Sequence, residues 1–176
     1  MKEISLRLVT EGDARQIWLW ANDPDAREAS FSHARIPWEE HLEWYQRRLR
    51  DPLTTMYIVM DAAGTPVGVV RFQGGNTPDG AIVSLTIARE YRGLGFGSRA
   101  LRLATLKASR EKGTRRFIAF VRAGNGASLR TFMKAGFGYR GRVRINGEEA
   151  GELVLVLESR EGPAGQETER DPGQGG

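Results

Sequence analysis

Ser84-Leu-Thr-Ile-Ala-Arg-Glu-Tyr-Arg-Gly-Leu-Gly-Phe-Gly-Ser98 joins a β-branched, apolar run to a helix-forming one through Gly93, Gly95 and Gly97. Three glycines in five residues let a backbone approach a ligand without Cβ interference. The first N–H groups of the helix that follows lack intrahelical acceptors and lie at the positive end of its dipole, an arrangement suited to phosphate. Arg92 and Arg99 add charge beside them. Glycines also serve turns and close packing, so the turn alone does not name a ligand. A Walker loop requires Lys and then Ser or Thr after its last glycine, and the chain has Gly97-Ser98-Arg99. A dinucleotide fold requires G-x-G-x-x-G and an acidic residue about 20 positions later. The spacing here is G-x-G-x-G, and the next strand ends in Val121-Arg122. What remains is a glycine pattern R-G-x-G-x-G that begins at Arg92.

Working outward, hydrophobic period predicts the other elements. Ile4, Leu6 and Leu8 alternate with polar residues as a half-buried strand, and Thr10-Glu-Gly-Asp13 opens a helix to about Ala21 that stops at Asn22-Asp-Pro24. After a polar segment, Ile36-Pro-Trp-Glu-Glu40 starts a helix to about Arg50, with proline and acidic residues suited to its first turn. Strands are expected over Met56–Asp61, Pro66–Gln73 and Ala81–Ala88 as a meander, with a turn over Gly74–Gly80. A helix from Ser98 to Lys112 ends at Gly113 and leads to the strand Arg116–Val121. A short helix, Ala127–Ala135, precedes strands over Tyr139–Ile145 and Glu149–Leu157, joined at Asn146-Gly147. From 159 to 176 only Ala164 is aliphatic among five Gly and two Pro, which predicts a flexible tail after a single domain over 1–158.

The 176 residues carry a net charge of +4, and 40% of them are hydrophobic. That suits one globular domain with a real core. The absence of cysteine excludes disulfides, thiolate metal sites and transfer through an enzyme thioester, and two histidines argue against a metal centre. No apolar run is long enough to cross a bilayer and the first residues lack a secretory apolar core, so no membrane association and a cytoplasmic location are expected. The charge is segregated. From Arg89 to Arg144, 12 Arg and 3 Lys face only Glu90 and Glu111, a local +13, whereas the remainder is −9. A solvated basic face, nucleic acid or a phosphorylated small molecule would each account for that excess.

Arg89-Glu-Tyr-Arg-Gly-Leu-Gly-Phe-Gly-Ser-Arg-Ala-Leu101 and Asn125-Gly-Ala-Ser-Leu-Arg-Thr-Phe-Met-Lys-Ala-Gly-Phe137 resemble, in order, the acetyl-CoA motif and second signature of the GCN5-related N-acetyltransferases. The resemblance covers residues 1 to about 157. It implies an α/β fold: a mixed α+β sheet of about seven mostly antiparallel strands with about four helices. The sheet would splay between Ala81–Ala88 and Arg116–Val121, where acetyl-CoA would lie as co-substrate without any metal. By the same resemblance, backbone amides of Arg92, Gly93, Leu94, Gly95, Phe96, Gly97 and Ser98 would wrap the pyrophosphate. Backbone at Leu85 and Ile87 would bond the pantetheine arm, and Asn125 would do so too or cap the short helix, roles that are compatible.

The family often has a tyrosine that protonates the departing thiolate, and in register that position is Phe132, leaving Ser128 or water to bond the sulfur. A glutamate base common in relatives is replaced by Ile82. Because a Lys-like amine is neutral only about once in 10³ molecules at pH 7, a chain without an evident base suits a less basic α-amine or amino sugar. Ser84 and Ser128, with Glu28, His41, His33 or Glu40 as a water-linked base, are the catalytic candidates. The stretch Trp20–Phe31 with Ile36–Trp44 resembles acetyltransferases acting on nucleotide-linked amino sugars and, in part, those acting on ribosomal-protein N-termini. That places the small-molecule acceptor against Arg27, Ser30, Phe31 and Trp38. A monomer or homodimer without nucleic acid is expected; a non-catalytic acyl-CoA sensor and a protein N-terminal acetyltransferase are the alternatives.

Overall fold

The alternating apolar residues at the N-terminus form strand β1 (Ile4–Leu8), the edge of a seven-stranded sheet. The computed structural model describes residues 3–75 and 79–158. The expected flexible tail over 159–176 and part of the turn over 74–80 lie outside the described residues. Strands β2 (Thr54–Asp61), β3 (Pro66–Gly74), β4 (Ala81–Ile87), β5 (Arg116–Arg122), β6 (Gly138–Ile145) and β7 (Glu148–Val156) complete the order β1-β2-β3-β4-β5-β7-β6. Every neighbouring pair is antiparallel except β4 with β5. The sheet is therefore mixed, as expected.

Side chains alternate across a strand, so successive residues supply two cores. Tyr57, Val59, Val70, Phe72, Val83, Phe117, Ala119 and Leu153 face helix α4 (Phe96–Lys112) and helix α5 (Gly126–Lys134). Met56, Ile58 and Val69 face helix α1 (Ala14–Ala21) and helix α3 (Trp38–Arg50), packed with Ile17, Trp20 and Tyr45. The entry to α1 is fixed by Asp13, which accepts from the Thr10 amide at 2.7 Å and takes both ends of the Arg7 guanidinium at 2.7 and 2.8 Å. Charge-assisted bonds of this geometry are about twice as strong as neutral ones.

Among the described residues there are five α-helices, beside the about four expected. Asn22-Asp-Pro24 stops α1, but the same residues start a further helix, α2 (Pro24–Ala29). Asp23 accepts from the Ala26 amide at 3.2 Å as its N-cap, and Pro24 fills the first helical position. Proline serves both as a stop and as a first-turn residue. Helix α4 also begins two residues before the expected Ser98, because Gly95 takes the left-handed conformation (φ 80°) at its N-cap.

Candidate active site

Strands β4 and β5 run side by side but pair only at Ala81 with Phe117 and Ile82 with Ile118. Beyond those two positions they part, so the rest of β4 has one unpartnered edge. Backbone groups alternate in direction along an antiparallel pair. The Ala88 amide donates to Val67 O on the β3 side at 2.9 Å; counting back along the unbroken register, Leu85 and Ile87 aim their N–H and C=O groups into the gap. Ile87 O is met there by Arg92 Nε at 2.9 Å.

The glycine turn closes one end of this gap. Among the described residues, the amides of Gly93 through Ser98 donate to no protein acceptor, whereas that of Arg92 donates to Arg89 O at 3.2 Å and that of Arg99 to Gly95 O at 3.5 Å. The expected wrap thus loses its first member, because the Arg92 amide closes a turn. The Arg92 side chain is also committed, to Asp23 at 2.7 Å and Asp25 at 3.3 Å. Gly93 and Gly95 have φ of 74° and 80°, a region closed to most side chains, and no protein atom lies closer than 4.0 Å to where their Cβ atoms would stand. Gly97 has a different task. A Cβ there would stand 2.9 Å from Thr131 Cγ2 and 3.1 Å from Leu85 Cδ2, so its missing side chain lets α4 lie against β4 and α5. Arg99 curls back over the Phe96 ring at 4.9 Å and bonds Gly95 O at 3.0 Å.

At the second signature, Asn125 Oδ1 accepts from the Ser128 amide at 3.1 Å and so caps α5. The Ser128 and Ser84 hydroxyls make no protein hydrogen bond among the described residues. Phe132 is buried, with its ring edge-on to Phe137 at 5.1 Å. His41 is placed away from the role expected of it. It is 3% exposed, stacks between Trp38 and Tyr45, and donates from Nε2 to Ala14 O at 2.8 Å; burial holds its pKa below the ordinary value. A ring so enclosed holds α3 to α1 and is not open to a substrate water. Glu28 and Glu40 are exposed, and His33 Nε2 lies 3.2 Å from Glu148 Oε1. Arg27 and Ser30 are consumed in shaping their own loop: Arg27 donates to Ala21 O (2.6 Å), Ser32 O (3.0 Å) and Ser30 Oγ (2.9 Å), and Ser30 to Ala26 O (2.6 Å). Phe31 is half-buried, and Trp38 stands edge-on to Trp18 at 5.5 Å on the α1/α3 side.

Three features escaped the sequence reading. Arg122, at the end of β5, bonds both Glu28 O and the Glu148 carboxylate, tying α2 to the far half of the sheet. Arg71 lies half-buried on β3, its guanidinium 5.2 Å from the Trp44 ring centroid. Glu152 lies half-buried on β7 and forms no ion pair among the described residues. A charged residue beside an apolar run, Arg71 after Val69-Val70 and Glu152 before Leu153–Leu157, was the available signal, but which face each occupies depends on the register. Among the described residues, no group of three or more His, Asp or Glu side chains is placed to hold a metal ion, and no helix is long and apolar enough to cross a membrane.

Residues 3–138 match the family described as "Acetyltransferase (GNAT) domain". The fold is also that of solved structures at low identity. Spermidine N-acetyltransferase from Vibrio cholerae, in complex with CoA and spermine, is similar with a TM-score of 0.77 at 21% identity over 87% of this chain and 95% of that one. The aminoglycoside acetyltransferase AAC(6')-Ib is similar in its complex with ribostamycin and coenzyme A, with a TM-score of 0.77, 23% identity and coverage of 88% and 93%. Its complex with paromomycin and acetyl-CoA gives 0.76 at the same identity and coverage. A sequence search of curated proteins returns no match.

Proposed function

Because this chain belongs to the GNAT acetyltransferase family, a class of acetyl-CoA-dependent N-acetyltransferases, we propose that it acetylates a primary amine of a small molecule, an amino sugar or nucleotide-linked amino sugar being favoured. The observation that carries the reading is the run of uncommitted amides from Gly93 to Ser98 at the mouth of α4, beside the open edge of β4. Donors converging at the positive end of a 17-residue helix suit a diphosphate. Acetyl-CoA supplies an activated thioester. Leu85 and Ile87 offer backbone groups along the gap for the pantetheine amides.

The chemistry is direct attack in a ternary complex. As the neutral amine nitrogen forms its bond to the acetyl carbon, the carbon–sulfur bond breaks, the electron pair leaves on sulfur, and the amine proton passes to a base or water. Ser128, whose hydroxyl has no protein partner, suits the bond to the departing sulfur at a place where Phe132 has no proton to give. A thiol of pKa about 8.5 leaves readily as thiolate, so a strong acid is dispensable. With His41 enclosed, the base falls to a carboxylate or water on the acceptor side. The sequence likeness of Trp20–Phe31 and Ile36–Trp44 to enzymes of nucleotide-linked amino sugars supports the choice of acceptor.

Calorimetry with CoA followed by thiol release over a panel of amino sugars, nucleotide-sugar amines, polyamines and peptide N-termini tests the reading. CoA binding and amine-stimulated thiol release, led by amino sugars, are expected. No heat on titration of CoA would overturn it; binding without turnover on any amine would turn the reading to an acyl-CoA sensor.

A further inference from the structure

The register sets a row of side chains straight across one face of the sheet. Met56 pairs with Arg71 and Arg71 with Ser84; across the gap, Phe120 pairs with Glu152. Ser84 and Phe120 each lie two residues past the last β4–β5 pair, Ile82 with Ile118, so they stand opposite one another where the strands part. Paired residues share a face, and Met56 fixes which one: the α1/α3 side. The cofactor amides lie at the start of α4, on the opposite side. An amine that meets a thioester reaching through the gap therefore approaches from the face on which Arg71 and Glu152 stand.

Arg71 is unusual in its partners. Its guanidinium is stacked against Trp44, with no carboxylate and no hydrogen-bond acceptor among the described residues, although it is half-buried and Arg48 adds like charge nearby. Arg48 has its own counterion in Asp51 at 3.4 Å. A desolvated cation normally has an anion beside it. The unbonded nitrogens of Arg71 still reach solvent, so a ligand can supply one. Stacking holds the fork in place beforehand, and a planar guanidinium matches carboxylate or phosphate oxygens. Glu152 is the complementary group, an unpaired carboxylate three inter-strand steps away, roughly 14 Å before the splay adds to it.

We propose that Arg71 and Glu152 bracket the acceptor, which is a small amine that also carries a carboxylate or phosphate: Arg71 holds the anion, and Glu152 holds the amine facing the gap. The proposal rests on the acetyltransferase reading and adds the charge class of the substrate.

The test pairs each acidic amine with a neutral counterpart, an α-amino acid with its amide and an amino-sugar phosphate with the free amino sugar, and follows CoA release by the wild type, Arg71→Met, Arg71→Lys and Glu152→Gln. The wild type is expected to favour the acidic member at least tenfold in kcat/KM. Arg71→Met should cut that ratio at least tenfold, chiefly through KM, with Arg71→Lys between, whereas Glu152→Gln should act chiefly on kcat. The better pair tells carboxylate from phosphate. Because Met removes an unpaired charge, its melting temperature should not fall below that of the wild type, which separates recognition from folding. Equal use of both members, or preference for polyamines, would overturn the bracket and leave the acetyltransferase reading intact. CoA binding without release on any amine would overturn both.

Discussion

At the scale of single residues, the three glycines of the turn do two different jobs, and substitutions separate them. Gly95 is left-handed with open space around it, so Gly95→Val strains the backbone by about 1–2 kcal/mol and projects a branched side chain toward the amides proposed to bind the pyrophosphate. The apparent KM for acetyl-CoA should rise at least tenfold in steady-state kinetics. Gly97→Val instead drives methyl groups into Thr131 and Leu85; overpacking of that kind costs about 1–3 kcal/mol and should lower the melting temperature by several degrees, as calorimetry would record. A variant pair with equal KM effects would refute the division. The glycine pattern itself was legible because positive φ and close approach restrict residue type. The charge that Arg92 adds beside the turn is taken up by Asp23 and Asp25, which lie nearly 70 residues away in sequence and so leave no local sign.

At the scale of elements, the period of apolar residues located every strand and four of the helices, since each buries one face against a core. Helix α2 was missed because six residues carry too little periodicity, and Asp-Pro signals an end as readily as a beginning. His41, one of the residues expected to serve as a water-linked base, is turned inward by its position on α3, onto Ala14 O. The consequence is a pH effect on folding. The folded pKa lies below the ordinary value of about 6.5, so below that pH the unfolded chain binds the proton more readily than the folded one. Stability from His41 is complete above pH 6.5 and is lost as pH falls through the folded pKa. Melting temperature should therefore decline from pH 7 to pH 5.5, and His41→Phe, which keeps the stacking but cannot protonate, should flatten that decline. A slope unchanged in the variant would assign the effect to other groups, such as Asp13, whose pKa is also lowered, by Arg7, but whose stabilisation is lost only below about pH 4.

At the scale of the whole molecule, the sheet is nearly two sheets, β1–β4 and β5-β7-β6, joined by two register pairs. Helices α4 and α5 back the seam on one face. On the other, the α2 region is fastened to the first half through Asp23 with Arg92, and to the second through Glu28 O with Arg122 and through His33 with Glu148. No local pattern could announce this, because it depends on strand order and on contacts about 70 to 115 residues apart in sequence. Arg122 is the common member on the far side, also bonding Glu148. Arg122→Ala should loosen α2 from the second half while leaving the α1/α3 core in place, since the partners Arg122 bonds, Glu28 and Glu148, are not members of that core. Partly exposed ion pairs contribute little to global stability, so the melting temperature should fall by no more than a few degrees. Local opening is a separate quantity. Hydrogen exchange should quicken in residues 24–34 and stay unchanged in β2 and β3, and the acceptor KM should rise severalfold, if this segment borders the face proposed for the incoming amine. Equal protection of 24–34 in the two proteins would show that Asp23 with Arg92 and His33 with Glu148 suffice to hold the segment.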